Sequence, residues 1–304
     1  MKNKLIIRLS NNLGNQMFMY ASAFAFAKEL NRELFIDDET AFEDNVKIHN
    51  YNLDLFNFNS KIAPRYLKFI GMNGYVRRKA LKYLDKFSKI KNFYVEPRDL
   101  NKNTMFEKNA LNGDFKDSLF VEGYFETEKY FIKYANETKN EFTFKNKDLF
   151  KNNPLYKDIK NSNSVSICVR QNRFSEKKRP ITKKDEDDSL IFSKDQINYI
   201  NKAINVIKSK ISNPKFFLWS NDFKNLSTYF SNNEYFPIST NKIDLDLFLM
   251  SQAKHFVVIP SAFNWWGAWL ADNNNKVIIR PSDSHFTNLR INNKDFWPTS
   301  WIEI

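Results

Sequence analysis

Three short segments of this 304-residue chain concentrate side chains that can do chemistry. In the first, LSNNLGNQMF, the amides Asn11, Asn12, Asn15 and Gln16 surround Gly14. Amides donate and accept without charge, which suits sugar hydroxyls and the edge of a phosphate. An ordinary Asn cap on a core helix is the plain alternative. In the second, VSICVRQNRF, an apolar strand ends at Arg170, with Arg173 close behind. A guanidinium there can fork onto a diphosphate, and a surface ion pair explains it equally well. Cys168 reads as a small buried hydrophobe, because no His lies nearby in sequence to activate it. In the third, IDLDLFLMSQAKHFVVIPSAFNWWGAWL, Asp244 and Asp246 form a D-x-D pattern. Asp246 could cap a helix or read a base. Metal binding is the weaker reading, since hard cations gather more oxygens than one such pair supplies. Ser261 and Asn264 open a helix whose N-terminal amides can hold a phosphate. Trp265, Trp266 and Trp269 follow at helical spacing, which favours core over stacking on a sugar or base.

These residues need elements that hold them. Lys4 to Leu9 reads as a strand, about Asn15 to Leu30 as a helix and Leu34 to Asp37 as the next strand. Such an opening is an α/β signature. About Tyr66 to Phe93 reads as a basic, aromatic helical surface or cap element. Leu119 to Tyr124 reads as a strand and Glu126 to Ala135 as a helix. The polar stretch 139–163, with Pro154, is the expected linker. The rhythm then restarts. Strands are expected at 164–170, 216–219, 255–259 and 277–279, and helices at 194–209, 223–230, 244–253 and 262–270. Alternating strands and helices imply parallel sheets with crossover connections, here two units. Ligands sit at the carboxyl ends of strands in such sheets, where all three loaded segments fall.

Composition narrows the classes. One Cys and three His argue against a disulfide or a structural zinc site. The six glycines include no spacing for G-x-G-x-x-G or a Walker loop. Nucleotide phosphates would therefore need side chains and scattered backbone amides. The net charge of +12 reads mostly as solvated surface. The densest basic group, Lys177 to Lys184, meets Asp185 to Asp188 at once and reads as a solvated, mobile loop. No signal peptide or spanning helix is evident, so the expectation is a cytoplasmic protein, with peripheral docking on an anionic membrane face as a further expectation.

LSNNLGNQMFMYASAFAFAK, VEGYFETEKYF, VSICVRQNRF, FFLWSND, DLDLFLMSQAKHFVVIPSAFNWWGAWL and DFWPTSWIEI, in this order, resemble the α-1,2-fucosyltransferases of glycosyltransferase family eleven. The resemblance runs from about residue 4 to 304 and is weakest between 60 and 115. It implies a GT-B-type α/β fold, with two Rossmann-like parallel-sheet domains facing a cleft. The expected division is 1–150 on the acceptor side, 160–285 for the donor, and a 286–304 tail packing back on the first domain. The implied reaction moves L-fucose from GDP-fucose to the 2-hydroxyl of a terminal galactose, with inversion and without a metal. Carried over, Arg170 binds the diphosphate, Asp246 reads guanine and Ser261 touches the phosphates, with Phe263 and Asn264 beside it. Gly14, Asn15 and Gln16 line the site near fucose and acceptor. The family's His-x-Arg-Arg-Gly-Asp run is here Cys168-Val-Arg-Gln-Asn-Arg173, which keeps only the first arginine.

Arg170, Ser261 and helix amides would stabilise the GDP leaving group, while Asn15 orients. Asp37 and Glu122 are candidate bases for the acceptor hydroxyl, with phosphate-assisted proton removal as the alternative. Two other classes compete: a metal-dependent glycosyltransferase using Asp244 and Asp246 with another nucleotide-sugar, and a basic, aromatic binder of single-stranded nucleic acid. The family reading expects no nucleic acid partner. It leaves the oligomeric state and the acceptor glycan open.

Overall fold

A computed structural model describes residues 3–42, 49–97, 106–176, 180–230, 234–286 and 293–304. Lys177, Lys178 and Arg179, three of the five residues in the basic group noted above, lie outside the described residues. The chain forms two compact units: Met1–Thr143 with Lys294–Phe296, and Phe144–Asn293 with Trp297–Ile304.

The first unit contains β1 (Lys4–Arg8), α1 (Leu13–Glu29), β2 (Glu33–Asp37), β3 (Lys61–Ile62), α2 (Gly71–Leu84), β4 (Ile90–Val95), β5 (Asp114–Glu122) and α3 (Ala135–Glu141). Its strands make one parallel sheet in the order β3-β2-β1-β5-β4. Leu5, Ile6 and Ile7 on β1 are buried in succession, as in a central strand covered on both faces. Helix α1 is buried on almost every side, which matches its near-continuous run of apolar and small residues.

The second unit contains α4 (Lys147–Lys151), α5 (Pro154–Asn161), β6 (Asn163–Val169), α6 (Lys183–Lys210), β7 (Pro214–Ser220), β8 (Tyr235–Ile238), α7 (Ile243–Ser251), β9 (His255–Val257), α8 (Ala262–Leu270), β10 (Ile278–Arg280) and β11 (Ile302–Glu303). Its parallel sheet runs β11-β10-β9-β6-β7-β8. Val165, Ile167, Ile200, Ile204 and Phe216 join strands to α6 in one core. At Gly267 a Cβ would overlap the Met250 side chain, so α7 and α8 pack closely only because that residue is glycine.

Several expectations are corrected. The stretch 139–163 is not an open linker. It contains α4 and α5, and the boundary between units falls at Thr143 rather than near 150. Asn153 caps α5 and Pro154 occupies its first turn, where its missing N–H costs nothing. The 286–304 tail does not return as a whole to the first unit. Only Lys294–Phe296 groups there, whereas β11 covers the edge of β10 in the second sheet. The charge reversal at 183–188 is not a loop. Thr182 and Asp185 form a capping box, and acidic residues in its first turn favour the helix dipole. Residues 90–95 are a strand rather than the end of a helix, and 126–135 forms two 3₁₀ turns before α3.

Candidate active site

In each sheet the chain winds outward from its first strand on one side and then crosses to the other side, and the loops at that point carry the loaded segments. In the first sheet the reversal lies between β1 and β5. Open parallel sheets bind ligands outside the carboxyl ends of the strands at such a point. After β1, Asn11 takes a left-handed φ of 68°, which Asn tolerates, and the Asn12 side chain caps α1 by accepting from Asn15 N at 3.3 Å. Gly14 and Asn15 sit in the first turn of α1. The Asn15 amide donates to Glu126 Oε1 at 2.5 Å, joining the β1 loop to the β5 loop. Beside them lies a concavity of about 380 Å³ lined by Arg8, Ser10, Asn11, His49, Gly123 and Tyr124 together with Met19.

Gln16 is turned into the fold. It is fully buried, its Nε2 donates to the Asn11 and Asn50 carbonyls at 2.7 Å each, and its Oε1 accepts from Asn52 N at 2.9 Å. Its role here is to fasten the loop that precedes Leu53.

Neither base candidate is free to act. Burial raises the Asp37 carboxyl, opposed by hydrogen bonds from Thr40 and Glu39, and Asp37 is spent on holding the turn after β2. Burial would raise Glu122 too, but Arg78, Arg8 and Lys82 hold it below the ordinary carboxylate range. Arg78 grips Glu122 through Nε at 2.6 Å and through Nη2, and Lys82 reaches it at 2.6 Å. A carboxylate stabilised by three cations is a poor base. Glu126 was not found from sequence. Its only signal was its place just beyond a strand end.

In the second sheet the order reverses between β6 and β9. Arg170 follows β6, and Ser261 follows β9 at the start of α8. Gln196 of α6, fully buried, clamps Arg170 through both backbone groups. The Arg170 guanidinium pairs with Glu176 at 2.5 Å, while its Nε is buried with no hydrogen-bond partner among the described residues. Glu176 also accepts from Asn221 at 3.0 Å. The residues that depart from the family pattern hold the loop itself. Asn221 exchanges hydrogen bonds with both backbone groups of Gln171, and the Gln171 side chain donates to the carbonyls of Asp222 and Lys224. Asn172 adopts φ 55° and donates to Asp222. Arg173 donates to the Pro260 carbonyl at 2.8 Å and stands over the Phe192 ring, so it ties the β6 loop to the β9 loop.

The Ser261 side chain makes no cap hydrogen bond among the described residues, and a helix leaves the N–H groups of its first turn without intrahelical partners. Phe263 is half-buried in that turn. Asn264 is fully buried, and its Oδ1 accepts from Ile259 N at 2.8 Å. Trp265 and Trp266 are likewise fully buried and belong to the core. Asp246 is half-buried. Burial raises its carboxyl, Thr240 opposes this by donating at 2.7 Å to Oδ1, and Asp244 adds to the rise. Asp244 turns one oxygen onto Leu245 N at 2.9 Å. Among the described residues no group of three or more His, Cys, Asp or Glu is placed to hold a metal. Burial pushes the Cys168 thiol up to about 12, with Arg170 lowering and Asp246 raising it, so the thiol is no nucleophile at neutral pH.

Two doubly wound parallel sheets, each with its polar loops at the point of strand reversal, define an α/β fold of the GT-B type, the class of many nucleotide-sugar glycosyltransferases. Two solved structures share this fold. NodZ α-1,6-fucosyltransferase of Bradyrhizobium, soaked with GDP-fucose, gives a TM-score of 0.57 at 14% identity, covering 94% of this chain and 97% of that one. A FUT1 mutant of Arabidopsis thaliana in complex with GDP gives 0.54 at 15% identity, covering 98% and 76%. The model for glycosyl transferase family 11 matches residues 1–304, and the chain belongs to that family. Among relatives, an α-1,2-colitosyltransferase of Escherichia coli is 28% identical over 99% of this chain and 98% of its own. The O-antigen biosynthesis glycosyltransferase WbnK of Escherichia coli is 24% identical over 97% and 99%.

Proposed function

We propose that this glycosyltransferase moves L-fucose from GDP-fucose to the 2-hydroxyl of a terminal β-galactoside, inverting the anomeric carbon without a bound metal. The observation that carries the reading is Arg170. It is fixed by its backbone at the strand reversal, and its buried Nε has no hydrogen-bond partner among the described residues. Such a guanidinium, with an uncapped Ser261 and the α8 amides, suits a diphosphate that gains charge as it leaves.

The acceptor oxygen attacks C1 of fucose as the bond from C1 to the β-phosphate oxygen breaks. The electron pair of that bond goes to GDP, where Arg170 and Ser261 stabilise it. Asp246, with one oxygen uncommitted to Thr240, is assigned to the guanine edge. Asn15, fixed by Glu126, orients the acceptor or the sugar. The acceptor's proton goes to the departing phosphate or to Glu126. Metal independence is part of the proposal. It rests on the D-x-D carboxylates being turned into local hydrogen bonds.

A second donor is favoured by one finding, the relative named as an α-1,2-colitosyltransferase. Colitose is fucose without its 3-hydroxyl, and both would use the same GDP seat. Competition between GDP-fucose and GDP-colitose on one galactoside tests the reading. A higher kcat/KM for GDP-fucose supports it, and a preference for GDP-colitose would move the assignment to that sugar.

A further inference from the structure

The basic charge of the chain is not dispersed. Residues 61–95 hold ten Lys and Arg against the single Asp85, a net +9 of the chain's +12. Asp85 is buried and accepts from Asn92 and Phe93 backbone N–H groups, so its charge faces inward. The same stretch holds ten of the nineteen large hydrophobic side chains that are exposed among the described residues. Single exposed apolar residues need no explanation, but a clustered set does.

Helix α2 arranges these features on opposite faces. Gly74 is pressed against the Phe69 backbone, where a Cβ would collide, and Leu81 packs onto the core cluster that contains Phe69 and Phe93. Arg78 and Lys82 turn inward to Glu122. The outward stripe is Met72, Tyr75, Val76, Lys79 and Tyr83, at helical spacing, continued by Phe87 beyond the helix end. Met72 is 75% exposed, Val76 57%, Tyr83 60% and Phe87 76%. Lys79 lies over the Tyr75 ring at 4.5 Å and Lys86 near the Tyr83 ring at 5.9 Å. The amphipathicity is thus inverted, with apolar groups toward solvent and charged groups also buried behind them.

We infer that this face, from Met72 to Lys89, docks on an anionic lipid bilayer. Apolar and aromatic side chains would enter the headgroup boundary while Lys79, Lys86 and Lys89 meet lipid phosphates. Charge complementarity selects this occupant over a second copy of the chain. A two-fold contact would set this positive face against itself. Single-stranded nucleic acid is a poorer match, since such sites pair aromatics with a groove that tracks the backbone, and this is the outward face of one helix.

The test is sedimentation of the full chain with phosphatidylcholine vesicles, with and without phosphatidylglycerol. Binding is expected only with phosphatidylglycerol and is lost at high salt. A Lys79→Gln, Lys86→Gln, Lys89→Gln variant should bind about 100-fold more weakly, from about 1 kcal/mol per basic residue near the surface. A Met72→Ser, Tyr83→Ser, Phe87→Ser variant should also lose binding, and both should melt like the wild type. Equal binding to neutral vesicles, no binding to anionic ones, or unchanged binding by both variants would overturn the inference. So would a dimer in sedimentation velocity that the serine variant dissolves, or tighter binding to a single-stranded oligonucleotide than to the anionic vesicles.

Discussion

Gln196 holds Arg170 by both of its backbone groups: Arg170 N donates to Gln196 Oε1 at 3.0 Å, and Gln196 Nε2 donates to the Arg170 carbonyl at 2.8 Å. A fully buried side chain on α6 thus replaces the sheet ladder where β6 ends. Gln196→Ala leaves a buried donor and acceptor unpaired, at about 1–3 kcal/mol each. The expected outcome is a lower melting temperature together with a raised KM for the donor. A melting temperature that falls with no change in donor KM would show that the clamp serves only the fold.

Glu176 occupies the guanidinium that a diphosphate would need. The pair is partly exposed, so its net worth is about 0.2–1 kcal/mol. Glu176→Gln should therefore lower the donor KM by at most about five-fold, with kcat little changed. Titration calorimetry with GDP checks this directly, and weaker binding by the variant would contradict the placement of the diphosphate.

Asn15 and Glu126 separate orientation from proton transfer. If Glu126 only fixes the amide, Glu126→Gln raises the acceptor KM and leaves the shape of the kcat pH profile alone. If Glu126 takes the acceptor proton, the same variant loses the acid limb of that profile and about 10²–10⁴-fold in kcat. Asn15→Ala should raise the acceptor KM in either case, and unchanged acceptor kinetics would remove Asn15 from the site.

Asp246 ties stability to function with opposite signs. Its carboxyl is raised by burial, so the folded state holds the proton more tightly than the unfolded chain. Stability from this group is present in acid and is lost as pH rises from the ordinary carboxylate range through the raised value. Asp246→Asn should thus raise the melting temperature at neutral pH. It should also weaken GDP binding by about 10- to 100-fold if the carboxylate reads guanine. Thermal melts and guanosine-nucleotide titrations across pH check both halves.

The elements that position the site were largely legible where apolar period and length agreed. Ala262–Leu270 was read to the residue, and the strands leading to Arg170 and Ser261 fell where expected. Strand β8 was not read, since Pro237 interrupts a run of only four residues. The start of α6 was hidden by its sign reversal, which reads as a loop until Thr182 and Asp185 are recognised as a reciprocal cap. At the site, the position of Arg170 at a strand end was legible, because an apolar run leads into it. The burial of Gln16 and Asn264 was not, because an amide that binds a ligand and one that fastens a loop look alike in sequence. The contacts of Gln196 and Glu126 could not be found from sequence. Their partners lie 26 and 111 residues away, and only the fold brings them together.

The central claim is that Arg170 stabilises a GDP leaving group in metal-free transfer of fucose. The most direct measurement follows fucose from GDP-fucose onto lactose, with and without EDTA, in wild type and in Arg170→Ala. The account predicts transfer that EDTA leaves intact and that falls about 10²–10³-fold in a variant with an unchanged melting temperature. Transfer abolished by EDTA, or a folded Arg170→Ala enzyme with near-wild-type turnover, would contradict it.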